Sequence, residues 1–402
     1  MKQDLVIIGF GMASHRLLQS LVAAGHNWNI TVIGSEPDPA YNRILLSPVL
    51  AGEMTSEDLY LSPLDWYRRN GIRLHLGDGV ATLERDNRVA VTEQGRRFPY
   101  DRVVFATGSR PARPGFEGDN RPGVVGLRNL ADTHWLLEQT HTQRHAVVLG
   151  GGFLGLEAAE GLRRQGMQVS LVHRGHYLLN RQLDATAGQL LGQTLSKRGL
   201  DLYLENGITR VLGKDPIRQV ALHDGTLLDA DLVVVAAGIT PNREVAEYAG
   251  LACERGILVD DQLLTSDPAI HALGECCQFG DRTYGLVEPV NQQADVLAGR
   301  LCGADTVYED KAVATRLKIS GINVYSCGEL DSRHPGIESI VYHDRHSGEY
   351  RNLLLEDNRL VGAILYGDTS AGPWLFEHLQ QGTDLEPWRA QLAFGEAYCE
   401  AA

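Results

Sequence analysis

Two glycine-rich turns constrain this chain more than any other feature. They are Gly9-Phe10-Gly11-Met12-Ala13-Ser14 and Gly150-Gly151-Gly152-Phe153-Leu154-Gly155, and each stands where a buried strand is about to become a helix. The apolar runs Leu5-Val6-Ile7-Ile8 and Ala146-Val147-Val148-Leu149 precede them and read as interior parallel strands. In such a turn the first glycine permits the tight bend and the second lets backbone N–H groups approach a pyrophosphate. The third lets the new helix lie close to its strand, and the helix N-terminus supplies positive potential. Ser14 takes the third position in the first turn and is small enough to keep the packing. A second strand follows each turn. The first, Ile30-Thr31-Val32-Ile33, ends near Glu36, whose carboxylate is placed to accept hydrogen bonds from a ribose diol. The other, Gln168-Val169-Ser170-Leu171-Val172, runs into His173 and Arg174. One isolated turn is as often only a turn; two, each with strand, helix and second strand, predict two dinucleotides held face to face with hydride passing between them.

The rest of the chain repeats one plan. Val103-Val104-Phe105-Ala106-Thr107-Gly108 is a buried strand ending on small residues, and Val233-Val234-Val235-Ala236-Ala237-Gly238 closes the second half the same way. The Pro-, Gly- and charge-rich stretch from Arg110 to Gly123 reads as a crossover between domains. His223-Asp224-Gly225-Thr226 is a hairpin signal. Ile270-His271-Ala272-Leu273-Gly274-Glu275 predicts a short strand leading to an acid, and apolar spacing at Val290, Ala294, Leu297 and Leu301 predicts a helix from Pro289 to Cys302. Short alternating strands such as Arg351–Leu355 and Leu360–Tyr366 follow, then a helix near Trp374. The predicted fold is α/β, with two Rossmann-like dinucleotide-binding domains, the second inserted in the first, and a small C-terminal α+β domain. The boundaries are 1–112 and 240–310 for the first domain, 113–239 for the second and 311–402 for the third.

A net charge of −14 argues against a nucleic-acid surface and fits solubility. No stretch has the apolar length to span a bilayer, and the first core strand begins at residue 4 with no cleavable signal before it. A cytoplasmic location is therefore expected. The six cysteines contain no C-x-x-C pair and none precedes Cys253, which leaves no dithiol beside a flavin, no iron–sulfur site and no metal site. All six read as buried, inert thiols, with a role for Cys276-Cys277 left open by their place beside Glu275.

The chain resembles the two-dinucleotide flavoprotein reductases of the glutathione-reductase-like superfamily. More narrowly it is similar to the FAD- and nicotinamide-binding module of assimilatory nitrite reductase large subunits, and to the electron-transfer subunits of bacterial assimilatory nitrate reductases. The residues that carry this are Tyr41-Asn42-Arg43-Ile44-Leu45-Leu46-Ser47, Arg181-Gln182-Leu183-Asp184, Gly274-Glu275-Cys276 with Tyr284-Gly285-Leu286-Val287, and Gly367-Asp368-Thr369-Ser370. The resemblance implies that Gly9, Gly11, Ser14 and Glu36 hold the ADP half of FAD, that Arg43 and Ser47 lie along the flavin, and that Thr107 and Gly108 cover its pyrophosphate. Glu275 would reach the ribityl chain or pyrophosphate, where much of the superfamily has Asp, and Leu286 and Val287 would wall the isoalloxazine. Gly150, Gly152, Gly155 and Gly238 would hold the nicotinamide dinucleotide, with Glu157 where nicotinamide meets flavin. Many relatives carry a Lys after the residue matching Ser47; Pro48 here leaves Glu157 without that partner, and Arg43 is the candidate to replace its charge.

A carboxylate at the ribose-facing position selects NADH by repelling a 2′-phosphate. His173 removes that repulsion and Arg174 could attract a phosphate, while a neutral imidazole can also bond the diol; NADH is expected, with NADPH open. The implied reaction is hydride transfer to FAD, which needs orientation and no side-chain nucleophile. Electrons then leave to an iron–sulfur or similar redox protein, for which a nitrate reductase catalytic subunit is the expected acceptor, supplied in trans or by the rest of a larger enzyme. A rubredoxin or ferredoxin reductase shares every cofactor residue and is the second reading. A redox-responsive regulatory flavoprotein with slow turnover is the third. His15 and Arg16 follow the first turn, where Arg16 either approaches phosphate or faces solvent.

Overall fold

The computed structural model describes residues 2–214, 216–319, 321–332 and 334–399. The chain divides into two compact units, one made of Met1–Leu46, Met54–Pro111 and Ile239–Lys311, the other of Ser47–Glu53, Ala112–Gly238 and Ala312–Ala402.

The first unit is built on a five-stranded parallel sheet in the order Ile270–Ala272, Arg102–Phe105, Gln3–Ile8, Trp28–Gly34, Arg73–Leu76. Leu5, Val6 and Ile7 at its centre are covered on both faces, which is why that strand is an unbroken apolar run and not an alternating one. Ile8 lies beside Phe105 and Ile33, so these strands end together and the Gly9 turn leaves from their common C-terminal edge. Helix Met12–Ala23 buries Leu17, Leu18 and Leu21, and packs against helix Val287–Leu301, which buries Val290, Ala294 and Leu297. The latter helix begins two residues before the predicted Pro289. The Arg16 guanidinium, at a partly exposed position, makes a two-pronged contact with Asp295 (2.7 Å and 2.9 Å), joining the two helices. His15 is buried, with its Nδ1 2.7 Å from the Tyr67 hydroxyl.

The second unit repeats the arrangement. Its parallel sheet runs Leu200–Tyr203, Gln168–Val172, His145–Leu149, Leu232–Val235, Val124–Val125. Helix Phe153–Arg164 leaves the second glycine turn, and the predicted hairpin joins Gln219–Leu222 to Leu227–Asp229. The C-terminal part is a five-stranded antiparallel sheet, in the order Ala314–Ile319, Ile322–Gly328, Arg359–Tyr366, Glu349–Glu356, Glu338–Asp344, with helix Gly372–Gln381 on it. Val324, Tyr350, Ile364 and Tyr366 of this sheet share an apolar cluster with Leu191 and Leu195 of helix Ala185–Lys197.

Asp184 fastens that contact. One carboxylate oxygen caps the helix by accepting the Ala187 N–H at 2.9 Å, and the other accepts from the Tyr350 hydroxyl at 2.6 Å and the Asn352 amide at 2.9 Å. This explains the acid in Arg181-Gln182-Leu183-Asp184 structurally. Asp184→Ala should lose the cap and strand two donors, about 2–4 kcal/mol in all by denaturant unfolding. A loss near zero would show the cap to be dispensable.

Of the six cysteines, Cys276, Cys277, Cys327 and Cys399 are buried, whereas Cys253 is half-buried and Cys302 exposed, which corrects the expectation for those two. Cys302 is the C-cap of helix Val287–Leu301. No helix among the described residues is long and apolar enough to cross a membrane.

Candidate functional site

The second glycine turn shows why each glycine is there. Gly150 has φ +128°, and a Cβ on it would lie 2.3 Å from the Ala236 carbonyl oxygen. A Cβ on Gly155 would lie 1.9 Å from the Gly150 carbonyl oxygen, so helix and strand could not close. Gly151 lies over the His173 ring, with only 2.7 Å available between a Cβ and Cγ. Gly152, the N-cap of helix Phe153–Arg164, is different: its φ is −88° and a Cβ there would meet nothing within 4 Å. Neither backbone nor packing requires glycine at 152, so the room it leaves faces outward, at the end of a helix with unpaired N–H groups.

The first turn follows the same logic. Gly9 has φ +103°, and its Cβ would lie 2.2 Å from the Ala106 carbonyl oxygen. Gly11, the N-cap of helix Met12–Ala23, has an ordinary φ of −109°, and its nearest neighbour would be Arg43 Nε at 3.9 Å. Ser14 is wholly buried, and its Oγ accepts the Gly11 N–H at 3.0 Å, so the side chain that replaces glycine ties the turn together.

Glu36 lies two residues beyond strand Trp28–Gly34, as the ribose acid of the first turn should. Its carboxylate accepts from the Tyr41 hydroxyl at 2.6 Å and pairs with the Arg43 guanidinium, which also donates to the Tyr41 oxygen at 2.9 Å. Arg43 thus stands against Glu36, its charge set beside a carboxylate. A small cavity of about 20 Å³ lined by Phe10, Gly34, Ser35, Glu36 and Asp38 opens beside them. The first unit also gathers Thr107, Gly108 and Glu275. Thr107 Oγ1 donates to the Asn242 carbonyl at 2.6 Å and Asn242 Nδ2 returns a bond to the Thr107 carbonyl at 2.9 Å. Gly108 takes φ +64°, and the Ser109 hydroxyl donates to Glu275 at 2.9 Å. Leu286 is the N-cap of helix Val287–Leu301 and is exposed, with Val287 the first helical residue.

In the second unit Glu157 lies on the second turn of helix Phe153–Arg164. Burial pushes its carboxyl up, and the Ser47 hydroxyl, which donates to it at 2.7 Å, opposes that shift. Pro48 leaves no lysine beside Glu157, and the Ser47 hydroxyl is the group that partners its carboxylate. His173 is half-buried and its Nδ1 accepts the Gly151 N–H at 3.2 Å. Burial holds the imidazole below its usual range, so the ring is neutral and turned to the glycine turn, while Arg174 is exposed and Gly238 has φ +117°.

Asn242, Ser109 and Tyr41 were not assigned roles from the sequence. The first could have been found from its place four residues after Gly238, in a half that otherwise mirrors the other. The donors and open glycines fit two bound dinucleotides: each turn offers an outward N-cap with no side chain, and the first has an acid at the ribose position.

Comparison with known proteins agrees. The family model of the pyridine nucleotide-disulphide oxidoreductases matches residues 3–294, and that of the rubredoxin NAD+ reductase C-terminal domain matches residues 314–383. Nitrite reductase [NAD(P)H] of Bacillus subtilis is 40% identical over 386 residues, covering 96% of this chain and 48% of that protein. The assimilatory nitrate reductase electron transfer subunit of the same organism is 38% identical over 393 residues, 97% of this chain and 51% of that protein. The chain therefore spans about half the length of these relatives. A crystal structure of a ferredoxin reductase from Rhodopseudomonas palustris superposes with a TM-score of 0.89 at 26% identity, covering 100% of both chains.

Proposed function

The chain belongs to the pyridine nucleotide-disulphide oxidoreductase family, and on that premise we propose that it takes electrons from NADH onto FAD and hands them to a partner redox protein of assimilatory nitrate or nitrite reduction. Reduced nicotinamide supplies hydride, and flavin accepts it as a pair and can release electrons singly. The protein's part is to bind and orient. Gly9, Gly11, Ser14 and Glu36 would hold the ADP half of FAD, with Thr107, Gly108, Glu275, Leu286 and Val287 toward its flavin end. Gly150, Gly152, Gly155, His173, Arg174 and Gly238 would hold the nicotinamide dinucleotide. Residues 1–112 and 240–310 would form the FAD-binding domain, 113–239 the nicotinamide-binding domain and 311–402 the C-terminal domain, acting in the cytoplasm.

The observation that carries this reading is the pair of outward N-cap glycines, Gly11 and Gly152, which the protein's own packing does not demand. A neutral His173 can hydrogen-bond a ribose diol, which supports NADH, while the absence of a ribose carboxylate leaves NADPH open. Similarity to the electron transfer subunit over 97% of the chain supports a nitrate reductase catalytic subunit as acceptor. The rubredoxin-reductase match over 314–383 favours a second reading, with a rubredoxin or ferredoxin as acceptor. The two separate on one experiment. Protein reduced by NADH is mixed with a nitrate reductase catalytic subunit, a rubredoxin or a ferredoxin, and flavin reoxidation is followed by absorbance. Fast reoxidation by the first alone is expected. Preference for rubredoxin would transfer the assignment, and no bleaching by either NADH or NADPH would end both readings.

A further inference from the structure

At the opposite edge of the first unit's parallel sheet from the Gly9 turn, a cavity of about 350 Å³ is lined by Arg85, Arg88, Tyr100, Arg102 and Asp267, among others. Arg102 begins strand Arg102–Phe105, and Ala269 precedes its neighbour Ile270–Ala272, so the cavity opens at the N-terminal ends of strands whose C-terminal ends meet the glycine turn. Arg85 is structural there. Its guanidinium pairs with Asp267 at 2.8 Å and donates to the carbonyls of Ala249 and Gly250 at 3.1 Å and 3.3 Å, which neutralises that acid.

The other two arginines are not so engaged. Among the described residues, no carboxylate lies within ion-pair distance of Arg88 or Arg102, and Arg102 donates only to the carbonyl of Asp101, at 3.2 Å. Asp86 at the rim is exposed and cannot neutralise both. Arg88 is also in an unusual conformation. It closes the hairpin between Val80–Glu84 and Val89–Thr92 with φ +53°, a left-handed position that glycine or asparagine fills at less cost. Tyr100 is almost wholly buried, and burial pushes its phenol up, with Asp267 adding to that shift and Arg85 and Arg88 opposing it, so it stays an O–H donor.

We propose that Arg88, Arg102 and Tyr100 form a second ligand site, for a phosphate-bearing small molecule, on the far edge of the sheet from the dinucleotide turn. Two unpaired guanidiniums and a phenol give planar, charge-assisted donors of the sort that grip a phosphate, in a recess of small-ligand size. The site does not depend on the electron acceptor proposed above.

The test uses the flavin-loaded protein, with inorganic phosphate and ribose 5-phosphate as probes, since neither carries an adenine ring. The melting temperature should rise by a few degrees at saturating probe but not with chloride of equal ionic strength. Arg88→Gly should melt at or above the wild-type temperature without ligand, because it relieves the left-handed strain, yet lose the probe-dependent rise. Arg102→Gln should lose it as well, and both variants should keep their flavin and their oxidation of NADH. A wild-type response no larger than that to chloride would overturn the site, as would an Arg88→Gly variant that responds like the wild type.

Discussion

Gly152→Ala should fold as the wild type does and bind NADH roughly 10- to 100-fold more weakly, a loss of about 1.4 to 2.7 kcal/mol. The backbone at 152 already has φ −88°, which alanine adopts without strain, and the new methyl meets no protein atom within 4 Å. Unfolding free energy should therefore change by less than about 0.5 kcal/mol. The methyl would stand where backbone N–H groups must approach a pyrophosphate, so the cost falls on binding alone. Gly155→Ala makes the opposite case. Its methyl would lie 1.9 Å from the Gly150 carbonyl oxygen, a backbone atom that cannot swing aside as a long side chain would. That variant should lose about 3 kcal/mol or more of stability, and its weaker NADH binding would only report the damaged fold. Titration of NADH quenching beside a denaturant curve for each variant separates the two. NADH binding by Gly152→Ala at wild-type strength would remove the ligand from this turn. By the same reasoning Gly11→Ala should purify with normal stability and little flavin, since only Arg43 Nε, 3.9 Å away, adjoins the new methyl.

The contrast between Gly152 and Gly155 also marks what could be read from the chain. Strand, turn and helix around both motifs were legible because buried parallel strands are continuous apolar runs and the glycines stand at fixed offsets from them. The helix at Val287–Leu301 and the hairpin at His223–Thr226 were legible from spacing for the same reason. Contacts between residues far apart were not. Nothing local in Arg16 announces Asp295, 279 positions on, and nothing in Ser47 announces Glu157, 110 positions on. Asp184 was noticed as part of a motif, but its tie to Tyr350 and Asn352 depends on a sheet that forms 166 residues later. Likewise, the closeness of Gly151 to His173 shows that one member of a glycine triplet is there for a neighbouring ring. A motif reports what its family holds in common, whereas the partners of each side chain belong to the tertiary fold.

Glu157→Gln should lower the rate of flavin reduction by NADH about 10- to 100-fold on the proposed reading, in stopped-flow measurement at neutral pH. A nicotinamide ring gains positive charge as hydride leaves, and Glu157 would set a carboxylate beside it, an interaction that strengthens on the way to the transition state. Glutamine keeps the shape and the contact with Ser47 and removes only the charge. The pH dependence gives an independent check. Burial already pushes the Glu157 carboxyl up, so protonation sets in at a higher pH than for an ordinary glutamate, and the rate should fall as pH falls through that raised value. In Glu157→Gln this limb should be absent. Ser47 supplies the converse variant, because its hydroxyl donates to the carboxylate and so favours the charged form. Ser47→Ala should shift the acid limb to higher pH and leave the alkaline plateau near the wild-type rate, since the carboxylate is charged there with or without the hydroxyl. An effect on the plateau alone would mean that Ser47 acts by shape and not through the Glu157 proton. A Glu157→Gln enzyme with an unchanged rate and an unchanged acid limb would take this residue out of the chemistry and leave it a partly buried acid on a helix, stabilised by one serine.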